Sequence, residues 1–599
     1  MMEKEYLAYV GIDFGTSGST FSYWFPDSKS DNKESIKIKK WDGEGTANKT
    51  STQIILDQDL NEILAFGKDC EKFIKQSDTE YLYFSNIKMY LYKDQSEIMD
   101  NYSKKKFPLV KVIAKILEKI RDEAITELKT KKISFHEKNL EECIKSIRWI
   151  ITIPAIWSDK NKTCMIEASK MAKLIDDKED PSNFFALEPE AAACYYPNSD
   201  SADKDILNHP YIICDIGGGT ADITTHERIK DENGNYQIKE LYPPSGGANG
   251  STEINKYIFE EILVKKLFSE EAYNRIKEKM AQEGDESEEL RDNFIKIKKE
   301  INDFKETFRL EDINKNKKLK INFGAFKKGF EKTPNIKDLL DNYNKNTRAG
   351  WKIEAKGWIL PLPYQIILDL LNEFIVVKAS DYMKNIINAL KGKNEIKSII
   401  LVGGTTANPS MIDLFKKEMQ NDIKIVSCDD PEVAVVRGAI YFARDPYIIS
   451  ERKAKYSLGI EVEGKWIDKF ESIPEAEKEF DDKKGNYICL NRFFPFYKKN
   501  ETIDVRAEGK KRKLGMNSEE CTLKFYKSDY DGPVHVIGQK DKDGKVITEK
   551  FGELIFNVKN FDYSECDVNI EIKLGGTLLT ALIEYIKTGE KFYKQFCFD

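Results

Sequence analysis

Two short stretches carry the residue types needed to hold a polyphosphate. YVGIDFGTSGSTFSYW, Tyr9 to Trp24, and YIICDIGGGTADITTH, Tyr211 to His226, share one plan: an apolar run ending in aspartate, a glycine-rich turn with threonine, then a second run of β-branched or aromatic residues. Backbone N–H groups in such a turn converge on phosphate oxygens, because the missing side chain lets the main chain approach and the turn forms an anion-binding nest. Asp13 and Asp215 end their strands 202 positions apart, where they are available to magnesium through ordered waters, since that ion dehydrates reluctantly. Thr16 and Thr220 add hydroxyl donors, and a third apolar strand, within Ser398 to Met419, ends in Gly403-Gly404. A single Asp-Gly turn is equally well explained as a tight hairpin. Two copies and a third glycine pair favour two turns that clamp one polyphosphate from both sides. Neither turn contains the Gly-x4-Gly-Lys-Ser/Thr or Gly-x-Gly-x-x-Gly pattern, so the P-loop and the dinucleotide-binding fingerprint are disfavoured.

The elements that must position these turns alternate between strand and helix. A repeat used twice at so long a period indicates a duplicated domain rather than a solenoid. Between the copies, apolar residues at Ile113, Leu117, Ile120, Ala124 and Leu128 predict an amphipathic helix over Leu109 to Leu128, followed by a strand at Ile147 to Ile153. Ser158 is placed to cap a helix running to about Leu174. Beyond the second copy, Asn233-Gly234 marks a hairpin, and a long helical region from Glu253 to Arg309 is expected to break at the acidic loop Gly284 to Glu289. The alternation predicts α/β layers as far as about residue 445. From Tyr456 onward short alternating runs such as Val568, Ile570, Ile572 and Leu574, separated by turn signals including Gly575-Gly576, predict a smaller β-rich domain, a sandwich or half-barrel.

Composition narrows the remaining classes. With 599 residues, the chain has room for about three to five compact units at roughly 100–200 residues each. Its 95 basic and 102 acidic side chains give a net charge of -7, and the 40% hydrophobic and 11% aromatic content is that of a folded protein. The basic runs Lys104 to Lys106 and Lys129 to Lys132 read as solvated faces, so no nucleic-acid partner is expected. Four histidines, His136, His209, His226 and His535, leave little material for a histidine-rich zinc site or a Ser-His-Asp hydrolase. The ten cysteines form no Cys-x-x-Cys pair, and Cys164, Cys194 and Cys214 sit in apolar segments that read as core. The most apolar helical stretch, Ile366 to Val377, is interrupted by Asp369, Asn372 and Glu373 and falls short of the ~18 uncharged residues of a membrane span. A reducing cytoplasm is the expected setting.

Six motifs in order, IDFGTSGST, IITIPAIW, ALEPEAAACYY, CDIGGGTADIT, ILVGGTTANPSM and VRGAIYFA, resemble the actin/sugar-kinase/heat-shock nucleotide-binding superfamily, specifically a 70-kDa heat-shock-type ATPase domain. The segment RKAKYSLGI and the short β-rich tail are similar to the divergent 12A/12B branch of that family. The resemblance implies an α/β, two-lobed, actin-like ATPase domain over residues 1–445 with a duplicated sheet core, a linker at 446–455, and a β-rich substrate-binding-like domain without a helical lid at 456–599. It implies ATP or ADP with magnesium at the bottom of the cleft between the lobes. Asp13, Gly15 and Thr16 match the first phosphate motif; Gly217, Gly218, Gly219, Thr220 and Asp222, with Asp215, match the second. Gly403 and Gly404 match the adenosine motif, and Gly246 and Gly247 the glycine pair that packs near the nucleoside. Lys88 takes the place of the family's catalytic lysine and Glu188 that of its water-orienting glutamate.

Departures from the pattern matter as much. The family's base-stacking arginine is replaced by Ala407, and its ribose-contacting Lys-Arg pair corresponds to Lys305-Glu306. PYIISERKAKY stands where ordinary chaperones of the family have an acidic, leucine-rich linker, and the tail ends in FCFD. The function expected is therefore slow ATP hydrolysis coupled to the binding of protein clients or signalling partners through the β-rich domain. The rival expectations are an adaptor with negligible hydrolysis, a small-molecule kinase and an actin-like filament protein.

Overall fold

Ala8–Asp13 is apolar on both faces, the pattern of a strand covered from two sides, and it lies at the centre of a mixed sheet. In this computed structural model, residues 5–596 are described except 27–34, 42–46, 77–79, 104, 177–180, 281, 283, 356, 420–422, 483–484, 517, 560, 563–565 and 575–578. Lys104, the turn expected at Gly575-Gly576 and the FCFD end beyond Phe596 thus lie outside the described residues. Across the first glycine turn Ala8–Asp13 pairs antiparallel with Gly18–Trp24, and on its other side parallel with Ile147–Ile153, which pairs parallel with Phe185–Leu187. The second sheet repeats this plan. Tyr211–Ile216 pairs antiparallel with Ala221–Lys230 and parallel with Ser398–Val402, which pairs parallel with Lys424–Ser427. Asp13 and Asp215 hold equivalent places at the carboxyl ends of the two central strands, opposite Thr20 and Asp222.

Each sheet has its own core. Leu109–Lys131 covers the first sheet, with Ile113, Leu117, Ile120, Ala124 and Leu128 all buried. The Ser158 hydroxyl accepts from Asn161 N–H at 3.4 Å to cap Asp159–Met171. The second sheet packs on a larger apolar cluster that includes Ile212, Ile258, Phe294 and Ile367. Between the lobes, Ala434–Arg444 crosses helix Glu188–Tyr195 closely because position 438 lacks a side chain: a Cβ on Gly438 would lie 1.7 Å from the Ala191 carbonyl oxygen.

The acidic segment at Gly284–Glu289 corrects an expectation. It is not a loop; Asp285–Thr307 is helical from its first acidic residue, after the separate helix Glu270–Met280. Negative side chains in the opening turn, Glu286 and Glu288 among them, complement the helix macrodipole, which a composition-based reading of an acidic cluster overlooks. The nine described cysteines are free; Cys194 and Cys214 are buried as expected, whereas Cys164 is only half-buried. Among the described residues no helix is long and apolar enough to cross a membrane.

From Ser457 the named strands are all paired antiparallel. A five-stranded and a four-stranded sheet enclose one core containing Ile460, Phe525, Phe556, Ile570 and Ile583. The segment preceding it is ordered: Ile449–Lys453 pairs with Tyr236–Gly247 on one side and with Thr502–Asp504 on the other. The second-lobe sheet therefore continues into the C-terminal β region.

Candidate functional site

The two glycine turns face each other. A Cβ built on Gly218 would lie 2.0 Å from Ser17 Oγ, and one on Gly219 would lie 2.5 Å from Thr16 Oγ1. No side chain fits between the turns, so the residue type at these positions follows from the apposition itself. The second turn is held from below by Thr252, whose N–H and Oγ1 donate to the Gly218 carbonyl at 2.8 and 2.6 Å, and by Thr405 Oγ1, which donates to the Gly217 carbonyl at 3.0 Å. Gly403 adopts φ +94°, a conformation that side chains disfavour, and its backbone abuts Asp215.

Above the turns opens a cavity of about 500 Å³. Asp13, Gly15, Thr16, Lys88, Glu188 and Asp215 line it, as do Gly217 to Thr220, Lys305, Gly403 and Gly404. Residues from six separated stretches of sequence thus meet at one place. Asp222, Gly246 and Gly247 do not line it. Asp222 is buried one layer behind, accepting from Ile156 N–H at 3.1 Å, while Gly246 and Gly247 end a strand opposite Asp222 and Ala221. Gly247 lies against the Tyr382 hydroxyl rather than at the cavity.

The charges in the cleft are strongly coupled. Lys88 Nζ donates to Glu188 Oε1 at 2.6 Å, with both side chains buried and the ammonium 5.4 Å from the Trp157 ring centre. Burial raises the Glu188 carboxyl to about 7, with Lys88 pulling against the shift and Asp222 and Asp13 reinforcing it. Burial, then the repulsion of Glu188, Asp222 and Asp13, hold the Asp215 carboxyl well above the usual range. Asp222 is raised by burial too, although the Thr220 hydroxyl and the Ile156 N–H favour its ionised form. Burial lowers the Lys305 ammonium to about 8, and its Nζ donates to the Ser251 carbonyl and hydroxyl, both at 3.2 Å.

This donor set fits magnesium better than a fully protein-ligated metal. Among the described residues no group of three or more His, Cys, Asp or Glu is arranged to hold an ion. Two strand-end carboxylates, crowded by others whose repulsion a dication would relieve, suit an ion that keeps most of its waters.

Several lining residues carried no signal in the sequence. Lys49 is the foremost, pairing with Asp13 Oδ2 at 2.6 Å from the segment NKTST. Burial works against its charge, but the attraction of Asp13, Asp215 and Glu432 outweighs that and raises its pKa. Ser51, Lys68, Asn302 and Glu432 reach the same cavity, and Ser51 Oγ is buried there without a hydrogen-bond partner. None falls in a glycine-rich turn, and no spacing distinguishes them from ordinary polar residues.

The sequence has counterparts among known proteins. Heat shock 70 kDa protein 12A of Homo sapiens is 23% identical over 594 aligned positions, covering 88% of this chain and 82% of its own length. At this level the chain is similar to a 70-kDa heat-shock protein. Heat shock 70 kDa protein 12B of Homo sapiens is 23% identical over 549 positions, covering 78% of this chain and 72% of its own. Chaperone protein dnaK1 of Prochlorococcus marinus matches 34% of the chain at 25% identity over 220 positions. No family model matches the chain. The similarity to the 12A and 12B proteins of the 70-kDa heat-shock family extends over most of the sequence.

Proposed function

We propose that this relative of the 70-kDa heat-shock proteins binds ATP and ADP with magnesium between its lobes, hydrolyses ATP slowly, and couples nucleotide state to protein clients or partners bound by the C-terminal β region. The observation that carries the reading is the direct apposition of the Gly15–Gly18 and Gly217–Thr220 turns below a cavity of nucleotide size.

The roles follow from position. Backbone N–H groups of the two turns, with the Thr16 hydroxyl and that of Thr220 once it turns from Asp222, bind and orient phosphate oxygens. Asp13 and Asp215 would hold hydrated magnesium, which when bound supplies charge neutralisation to the phosphates. Glu188, ionised, accepts a hydrogen bond from the attacking water and orients it, with Asp215 as its neighbour in that task. Lys88 keeps Glu188 in place through its 2.6 Å contact and offers positive charge to the phosphoryl group. Gly403, Gly404 and Lys305, which line the cavity, would take the nucleoside, and Ala407 beside them provides no planar cation to stack on a base.

Calorimetry with ATP and ADP, with and without magnesium, tests binding, and a single-turnover assay tests hydrolysis. Loss of cleavage in Glu188→Gln and Lys88→Ala supports the enzyme. Nucleotide binding by a wild type that cleaves nothing supports the adaptor reading. The absence of any adenine-nucleotide binding removes both.

A further inference from the structure

Lys49 belongs to neither glycine motif, yet its ammonium lies 2.6 Å from Asp13 Oδ2. Its backbone is fixed from several directions. The next two residues, Thr50–Ser51, pair with Gly18 and Ser19 at the far end of the first turn. Thr52 N–H donates to the Ser17 carbonyl at 3.1 Å, and the preceding Asn48 Nδ2 donates to Glu432 Oε1 at 2.8 Å. The stem packs on the turn itself, since a Cβ on Gly18 would lie 3.3 Å from that of Lys49. A long, partly exposed side chain on a fixed base can swing while its Cα stays in place. Two residues on, Ser51 also lines the cavity, although its Oγ is buried rather than open to it.

We infer that Lys49 is a phosphate-binding cation that competes with the divalent metal for Asp13: binding of a magnesium polyphosphate draws its ammonium from the carboxylate to phosphate oxygens. This rests on the nucleotide reading above. The reason is electrostatic. An ammonium in contact with Asp13 and a dication beside the same carboxylate repel each other, so both cannot be served by it at full strength. A polyphosphate supplies negative oxygens a few ångströms away, and Lys49, as a compact charge on a flexible stem, can follow them. Metal and polyphosphate are thereby expected to bind cooperatively: the metal alone must displace Lys49, whereas the pair provides for it.

The test uses the full chain as wild type, Lys49→Met and Lys49→Arg. Calorimetry measures adenosine, ADP and ATP with magnesium, and electron paramagnetic resonance measures manganese binding without nucleotide. Lys49→Met is expected to weaken ATP about ten- to hundredfold, as loss of a charge-assisted hydrogen bond would, to leave adenosine unchanged, and to tighten manganese binding. Lys49→Arg restores the wild-type pattern. If Lys49→Met does not fold, as judged by thermal melting, Lys49→Gln is read in the same way. Equal ATP and manganese affinities in wild type and the neutral variant overturn the assignment of Lys49 alone. A wild type that takes up no adenine nucleotide overturns the nucleotide reading and this inference with it.

Discussion

Arg452 grips Glu190 through two parallel hydrogen bonds, Nε to Oε1 at 2.8 Å and Nη2 to Oε2 at 2.6 Å, with both side chains buried. Glu190 stands in the first turn of helix Glu188–Tyr195, two residues after the cleft carboxylate Glu188. Arg452 belongs to Ile449–Lys453, the strand between the second lobe and the C-terminal sheets. Removing one partner leaves the other charge buried alone, so Arg452→Met is expected to cost about 3–5 kcal/mol of stability. The double variant Arg452→Met/Glu190→Met should recover much of that loss, because no uncompensated charge remains. Guanidinium unfolding of both variants checks this, and a double variant as unstable as the single one would contradict it.

Glu188 predicts a pH dependence of definite sign. Its carboxyl sits at about 7 in the folded chain against 4.5 ordinarily, because burial disfavours the charge. The stability it contributes is therefore complete below its ordinary pKa and is lost as pH rises through about 7. Glu188→Gln should flatten that limb of a stability–pH curve. Hydrolysis needs the ionised form, so single-turnover rates should rise through the same interval. Lys88→Ala removes the attraction that opposes the shift and should move the stability limb to higher pH.

Lys305 predicts a proton signature on binding. Its ammonium is lowered to about 8 by burial, so near that pH a fraction of the chains carries it neutral. An anionic ligand in the cavity favours the charged form and raises the pKa. Nucleotide binding at pH 8 should then take up roughly half a proton, read as a dependence of calorimetric enthalpy on the ionisation enthalpy of the buffer. Lys305→Met should abolish that dependence.

Ala407 predicts a gain of function. It is exposed at the cavity wall in the helical turn Gly404–Ala407, where a longer side chain has room. Ala407→Arg should add a stacking cation worth about 0.5–2 kcal/mol, or roughly two- to thirtyfold in adenosine affinity. Inorganic tripolyphosphate affinity should change far less, which separates base stacking from general charge attraction.

Much of the architecture is written in local pattern. Apolar runs that end in Asp13 and Asp215 read as buried strands, and the glycine-rich sequences after them as tight turns, so the duplicated sheets and their turns are legible residue by residue. The acidic stretch at Gly284–Glu289 was less legible, because the same side chains suit a solvated loop and the opening turn of a helix. Long-range pairing decided the rest. Lys49 meets Asp13 across 36 positions, and Arg452 meets Glu190 across 262. Gly246 and Gly247 went instead to a strand end away from the cavity. Periodicity and turn chemistry act over a few residues and so reside in the sequence. Which distant charges share a buried space depends on how whole sheets stack, and that only the tertiary structure fixes.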